Sequence, residues 1–264
     1  MWNIVRSLNY TIKHDIYSYI MVLLGLIIAV SSIVTMFSDS GGETLTGSLA
    51  VGYWGTFIAV FCFMLPAFVT TRICGYDFND KTVNYEVLYG QKRSAVFFSR
   101  IILSYIYNII LFAVIAIAPL AVLTLMNGWG HSISMSEALF HFVLSLMVLI
   151  RYTTFIACLT FLARSSWIGL AAGYLMMIFE MLPLFVMELM NLGFELTWQL
   201  SIPNAMKIMD FSNTAMGFVD GKDITIYKAA LDSSVVTGTV LAAVIETVLL
   251  LICSYVLFRK RDID

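Results

Sequence analysis

Charge is scarce in this chain. Only 12% of its 264 residues are Asp, Glu, Lys or Arg, while 60% are hydrophobic, and the mean hydropathy is +0.90. Soluble domains carry about 25% charged residues, so a water-soluble fold is excluded. Cysteine is sparse too: Cys62, Cys74, Cys158 and Cys253 show no CxxC or Cys/His spacing, which argues against disulfides and zinc. No GxxxxGK[ST] phosphate loop occurs, so the chain has no P-loop site for ATP. His14, His131 and His141 are scattered and none begins an HExxH run, and no serine sits in GxSxG. Intramembrane proteolysis therefore lacks its residues, and no catalytic, metal or cofactor-binding residue is expected. The net charge of −2 provides no basic field for nucleic acid. Strand-type alternation is not sustained, which disfavours a β-barrel.

What the sequence does contain is long apolar runs. Uncharged stretches able to cross about 30 Å of hydrocarbon at about 1.5 Å per residue fall at roughly 17–37, 51–71, 101–126, 138–163, 167–188 and 234–258. Lipid satisfies no backbone hydrogen bond, so each must be helical. The expected fold is all-α: one membrane domain, 1–264, with six transmembrane helices. Pro66, Pro119 and Pro183 lie inside these runs and suggest local kinks. The first run is longer than a signal-peptide core and reads as an uncleaved span.

Orientation follows from the basic residues. A cytosolic N-terminus puts Arg6, Lys13, Arg72, Lys81, Lys92, Arg93, Arg100, Arg164, Arg259, Lys260 and Arg261 inside, and only Lys207, Lys222 and Lys228 outside. The positive-inside rule favours this arrangement, with both termini cytosolic. Three segments stand apart from the spans. Residues 2–14 place Trp2, Val5, Leu8 and Ile12 on one helical face, either an interfacial helix or a short solvated tail. Residues 72–100 form the one long cytosolic connection, where charges mix with Tyr85, Val87, Leu88 and Tyr89. The extracellular segment 188–233 is too polar to span, yet holds Leu192, Phe194, Trp198 and Ile202. It reads as short helices or a re-entrant hairpin packed on the outer ends of the spans and broken at Pro203, or as an ordinary loop.

An ionisable side chain at the bilayer centre costs about 2.5–3.5 kcal/mol on insertion scales. Arg151 lies about 13 residues below the outer end of the fourth span and Glu246 about 12 below that of the sixth, so both sit near mid-membrane. They are expected to pair or to face one polar cavity, with Glu180 of the fifth span nearer the outside and on a possible pathway. Structural pairing and a role in moving protons or substrate both remain open for them.

The stretch Asp77-Phe78-Asn79-Asp80-Lys81-Thr82-Val83-Asn84-Tyr85-Glu86-Val87-Leu88-Tyr89-Gly90-Gln91-Lys92-Arg93, followed by Phe97, Phe98 and Arg100, resembles the cytosolic pattern of the type-2 ABC exporter permeases. The likeness is greatest to small bacterial members associated with peptide-antibiotic immunity and drug efflux. Asp77, Lys81, Thr82, Leu88, Gly90 and Arg93 occupy the matching positions; the Gly-Thr and Pro variants common in that family are absent, and its closing Lys is Arg100 here. The layout of the whole chain and the tail Phe258-Arg259-Lys260-Arg261-Asp262 are also similar.

The resemblance implies a permease subunit in the bacterial inner membrane, exporting a hydrophobic or amphiphilic substrate such as an antimicrobial peptide, lipid-like molecule or drug. Its partners would be two copies of a cytosolic ABC ATPase, which bind ATP and Mg, and a second permease, identical or homologous. The segment around Asp77 would be a coupling helix, its acidic first turn favoured by the helix dipole and its end capped by Gly90. Tyr85, Val87, Leu88 and Tyr89 would supply apolar contact with the ATPase. Lys92 and Arg93 would supply charged contact, or anchor to lipid headgroups instead. An ion-coupled secondary transporter and a non-transporting membrane scaffold or sensor subunit are the competing readings.

Overall fold

The computed structural model describes residues 2–39, 45–52, 55–79, 86–190, 204, 208–209, 211, 214–219, 222–227, 231 and 233–260. Its order is α1 (Trp2–His14), α2 (Ile16–Asp39), α3 (Gly47–Gly52), α4 (Gly55–Asn79), α5 (Arg93–Asn127), α6 (Met135–Ala163), α7 (Ser166–Leu189), β1 (Thr214–Val219), β2 (Lys222–Tyr227) and α8 (Ser233–Lys260). Five of these helices, α2, α5, α6, α7 and α8, are long and apolar enough to cross a membrane, which makes this a multi-pass membrane protein. Helix α4, 25 residues long and carrying Pro66, packs against α5, α6 and α7.

The bundle is built around α6. In its most apolar stretch 67% of residues are buried, against 17–39% in the other four spanning helices, so α6 is the axis and the others present one flank to lipid. Its sequence explains the position: Thr153, Thr154, Ala157, Cys158 and Thr160 are small or polar and all buried, and small residues let helix backbones approach closely. Gly75 of α4 and Gly169 of α7 meet at Thr160. A Cβ on Gly169 would lie 3.0 Å from the Thr160 Cα, and one on Gly75 would lie 2.8 Å from the Ser166 Cα. On the periphery, Leu23, Ile27, Val30 and Val34 of α2, and Leu241, Val244, Ile245 and Leu249 of α8, are exposed, as side chains solvated by lipid tails must be.

Helix α1 is amphipathic. Ile4, Val5 and Leu8 are buried and the last turn carries Lys13 and His14; Trp2 is exposed, so it lies off the buried face expected to include it. The chain breaks at Asp15, whose carboxylate accepts from the Tyr17 N–H at 3.4 Å and whose carbonyl accepts from the Ser18 N–H at 3.0 Å, capping α2.

Within the segment 72–100, α4 continues to Asn79 and α5 already begins at Arg93, because Ile73, Cys74, Val96, Phe97 and Ile101 bury together with Ala157, Phe161 and Phe258. The second apolar run is preceded by a helix of its own, α3, held by the loop after α5: Gly47 N–H donates to Gly128 O (3.0 Å) and Ser48 N–H to Trp129 O (2.6 Å). A side chain at Gly130, whose φ is +87°, would collide with Thr46 and Ser48. Helix α6 then opens on Ser134, which accepts from the Glu137 N–H at 3.2 Å, the first half of a capping box.

The fold is helical as expected, but the helical reading of 188–233 is corrected within it: β1 and β2 form an antiparallel hairpin, with Thr214 opposite Tyr227 and Val219 opposite Lys222. Aromatic and β-branched residues dominate both strands, as in Phe218-Val219 and Ile224-Thr225-Ile226-Tyr227, and such side chains favour a pleated surface. Other parts of the segment bury against the bundle: Ile208, Met209 and Phe211 are buried, Asn204 Nδ2 donates to Thr239 Oγ1 (2.7 Å), and His141 Nδ1 lies 2.6 Å from Ile208 O. Leu192, Phe194, Trp198, Ile202 and Pro203 lie outside the described residues.

Candidate functional site

Asp77 sits in the last turn of α4, not in the first turn of a coupling helix. A carboxylate there opposes the helix dipole, and the compensation comes from Arg100 of α5. The Arg100 side chain is fully buried and reaches two carboxylates: Nη2 lies 2.6 Å from Asp77 Oδ2 and Nη1 2.9 Å from Glu86 Oε2. Arginine stays charged at any ordinary pH, so its burial requires these partners. Residues 86–88 are helical and are closed by Gly90 at φ +88°, the conformation glycine adopts without penalty. The Gly90 N–H donates to Val87 O (3.0 Å) and the Gln91 N–H to Glu86 O (3.1 Å), a C-cap of the expected kind.

From this turn Val87 packs inward, half-buried against the cluster that contains Phe97, Phe161 and Phe258, and so is not the outward contact expected of it. Leu88 and Tyr89 point away, 79% and 86% exposed. Lys92 is the N-cap residue of α5, with no side-chain capping bond, and Arg93 Nη1 donates to Arg259 O at 2.8 Å. That bond fastens the start of α5 to the end of α8. The structure thus gathers Asp77, Leu88, Gly90, Lys92 and Arg93 at one end of the bundle, around a cation fixed in its core. Lys81, Thr82 and Tyr85 lie outside the described residues.

A second arginine is held between α6 and α8. Arg151 Nε lies 2.5 Å from Glu246 Oε2, with the arginine side chain 4% and the glutamate 35% exposed. The two groups expected at mid-span are brought together, and further along the same helix contact, about two turns on in α6 and one in α8, Cys158 Sγ approaches Leu250 O (3.4 Å). Glu180 is half-buried in α7.

Two arrangements escaped the sequence reading. Asn108 of α5 donates from Nδ2 to Thr70 Oγ1 of α4 (2.8 Å) and to Thr153 Oγ1 of α6 (2.9 Å), while Tyr105 and Thr154 share a hydroxyl bond of 2.6 Å. An uncharged amide within an apolar run was the available signal, obscured by attention to ionisable groups. The other is Arg72, whose Nε lies 2.8 Å from Asp15 Oδ2 and whose guanidinium stacks 3.4 Å from the Tyr76 ring centroid and 4.5 Å from that of Tyr17.

No family model matches the chain, and no curated protein matches it. Among the described residues no group of three or more His, Cys, Asp or Glu could hold a metal ion.

Proposed function

We propose that the chain is the membrane-spanning permease subunit of an ATP-driven exporter, with six spans, both termini in the cytosol and α4 as the second span. The observation that carries this reading is the exposed Leu88–Tyr89 knuckle mounted on buried Arg100. An aromatic and an aliphatic side chain held out at the cationic end of a membrane bundle suit the anchor of a protein interface. A rigid path leads inward from it: Glu86 to Arg100, Arg100 to Asp77, and so to α4 and α5.

A push on the knuckle by an ATPase in the cytosol, closing on ATP, would reach two spanning helices without passing through a flexible loop. The spans would then rearrange as rigid bodies, and an amphiphilic molecule would leave along the interface with a second permease, identical or homologous. Bacterial inner-membrane placement, antibiotic resistance and bacteriocin immunity belong to the same proposal and rest on the resemblance of residues 77–100.

Affinity purification from native membranes tests it. The tagged chain is expected to bring down a separate ATP-hydrolysing subunit, and the double variant Leu88→Asp/Tyr89→Ser to lose at least ten-fold of it while accumulating normally in the membrane. A wild-type chain that purifies without any ATPase and transports without ATP overturns the reading. The paired Arg151–Glu246 at mid-span favours, as a second reading, an ion-coupled carrier; it requires that Glu246→Gln abolish transport driven by a proton gradient alone.

A further inference from the structure

A groove of about 580 Å³ opens between α2, α4, α5 and α7 at the end of the bundle where α1 lies. Its walls change character along the helix axes. At the rim stand Tyr17, Ser18, Arg72, Tyr76, Ser166 and Trp167; deeper lie Met21, Phe68, Ile110, Val114 and Leu170. From Arg72 to Phe68 is one helical turn, and from Tyr107 to Val114 about 10 Å at 1.5 Å per residue. A polar rim above an apolar shaft, on the flank of a membrane bundle, has the dimensions and polarity of an amphiphile lying parallel to the helices.

The rim also selects the head group. Quaternary ammonium groups are bound in cages of aromatic rings, and Tyr17 and Tyr76 would make such a cage, but the Arg72 guanidinium already occupies the space between their rings. Of the five N–H donors of a guanidinium, Asp15 takes the one on Nε. Arg72 lines the groove itself, and planar guanidinium donors match phosphate oxygens.

We propose that this groove is a binding site for one phospholipid with an anionic head group, drawn from the leaflet on the α1 side, its phosphate on Arg72 and an acyl chain between α2, α4 and α5. Asp15 is then both the cap of α2 and a competitor for Arg72. Lipid occupancy would therefore loosen the joint between α1 and α2. The inference stands on the membrane bundle alone and does not depend on the permease reading.

The test is native mass spectrometry of the detergent-solubilised full chain exchanged with phosphatidylglycerol or phosphatidylcholine of identical acyl chains. One phosphatidylglycerol per chain is expected to survive, with at least a five-fold preference over phosphatidylcholine. Arg72→Gln should remove that preference. Asp15→Asn keeps a capping side chain but withdraws the competing charge, and should raise phosphatidylglycerol retention; a latch with no lipid role would give no increase. Equal retention of the two lipids by the wild type, or retention unchanged in Arg72→Gln, overturns the proposal. If Arg72→Gln does not fold, Val114→Phe decides, because it narrows the shaft and leaves Arg72 and Asp15 intact: reduced retention supports the site and unchanged retention removes it.

Discussion

Among the described residues two arginines are buried, and they sit in different settings. Arg100 lies between two carboxylates from different parts of the chain, Asp77 and Glu86, each about one-fifth to one-quarter exposed. Arg151 pairs with Glu246, about one-third exposed, on the flank of α8. The first cluster joins a surface turn to the ends of two helices; the second joins two helix flanks along their length. Ion pairs of similar geometry should therefore fail in different ways.

The most damaging single change is expected to be Arg100→Met, which leaves Asp77 facing the dipole of α4 and releases the 86–90 turn. Breaking a buried pair by removing one partner costs about 3–5 kcal/mol, so thermal unfolding in detergent should show a large drop in Tm, and protease should cut between α4 and α5. Next comes Glu246→Gln, which withdraws the carboxylate paired with Arg151 between α6 and α8 and should lower Tm by less than Arg100→Met does. The double variant Arg151→Met/Glu246→Met should recover most of that loss, since an apolar pair of similar volume often replaces a buried ion pair without penalty. If the double variant is as unstable as the single one, the pair is more than charge compensation.

A smaller effect is expected from Glu86→Gln. Asp77 remains on Arg100, and Glu86 is partly hydrated, so the loss should be about 1 kcal/mol; a loss equal to that of Arg100→Met would show that the cluster works only as a triad. Smallest of all, Leu88→Asp/Tyr89→Ser should change stability by no more than about 0.5 kcal/mol, because both side chains are exposed. Its effect belongs to the co-purification assay.

The membrane-spanning helices were legible because length and apolarity alone decide whether a segment can cross lipid. The Arg151–Glu246 contact was legible because two mid-span charges at similar depth have few other places to go. The Arg100 cluster was half legible: Asp77 and Arg100 both stand in the family-like stretch, but nothing local says that Glu86 folds back onto Arg100. The hairpin was missed although its signals were present, since Asp220-Gly221 between two short β-branched and aromatic runs is a strong turn cue. Reading that region as a polar break in a hydrophobic chain drew attention to its average composition and away from its alternation. Helix α3 escaped because six residues (Gly47–Gly52) carry no periodicity of their own; it exists through its bonds to the loop after α5.

The amide of Asn108 spends its donors on hydroxyls of two other helices, and interhelical hydrogen bonds in membranes contribute about 0.6–2 kcal/mol each. Helices α4, α5 and α6 are thereby stitched into one body. Whatever alternation between states the protein undergoes, these three move together, and α8 goes with them through Arg93–Arg259 and Arg151–Glu246.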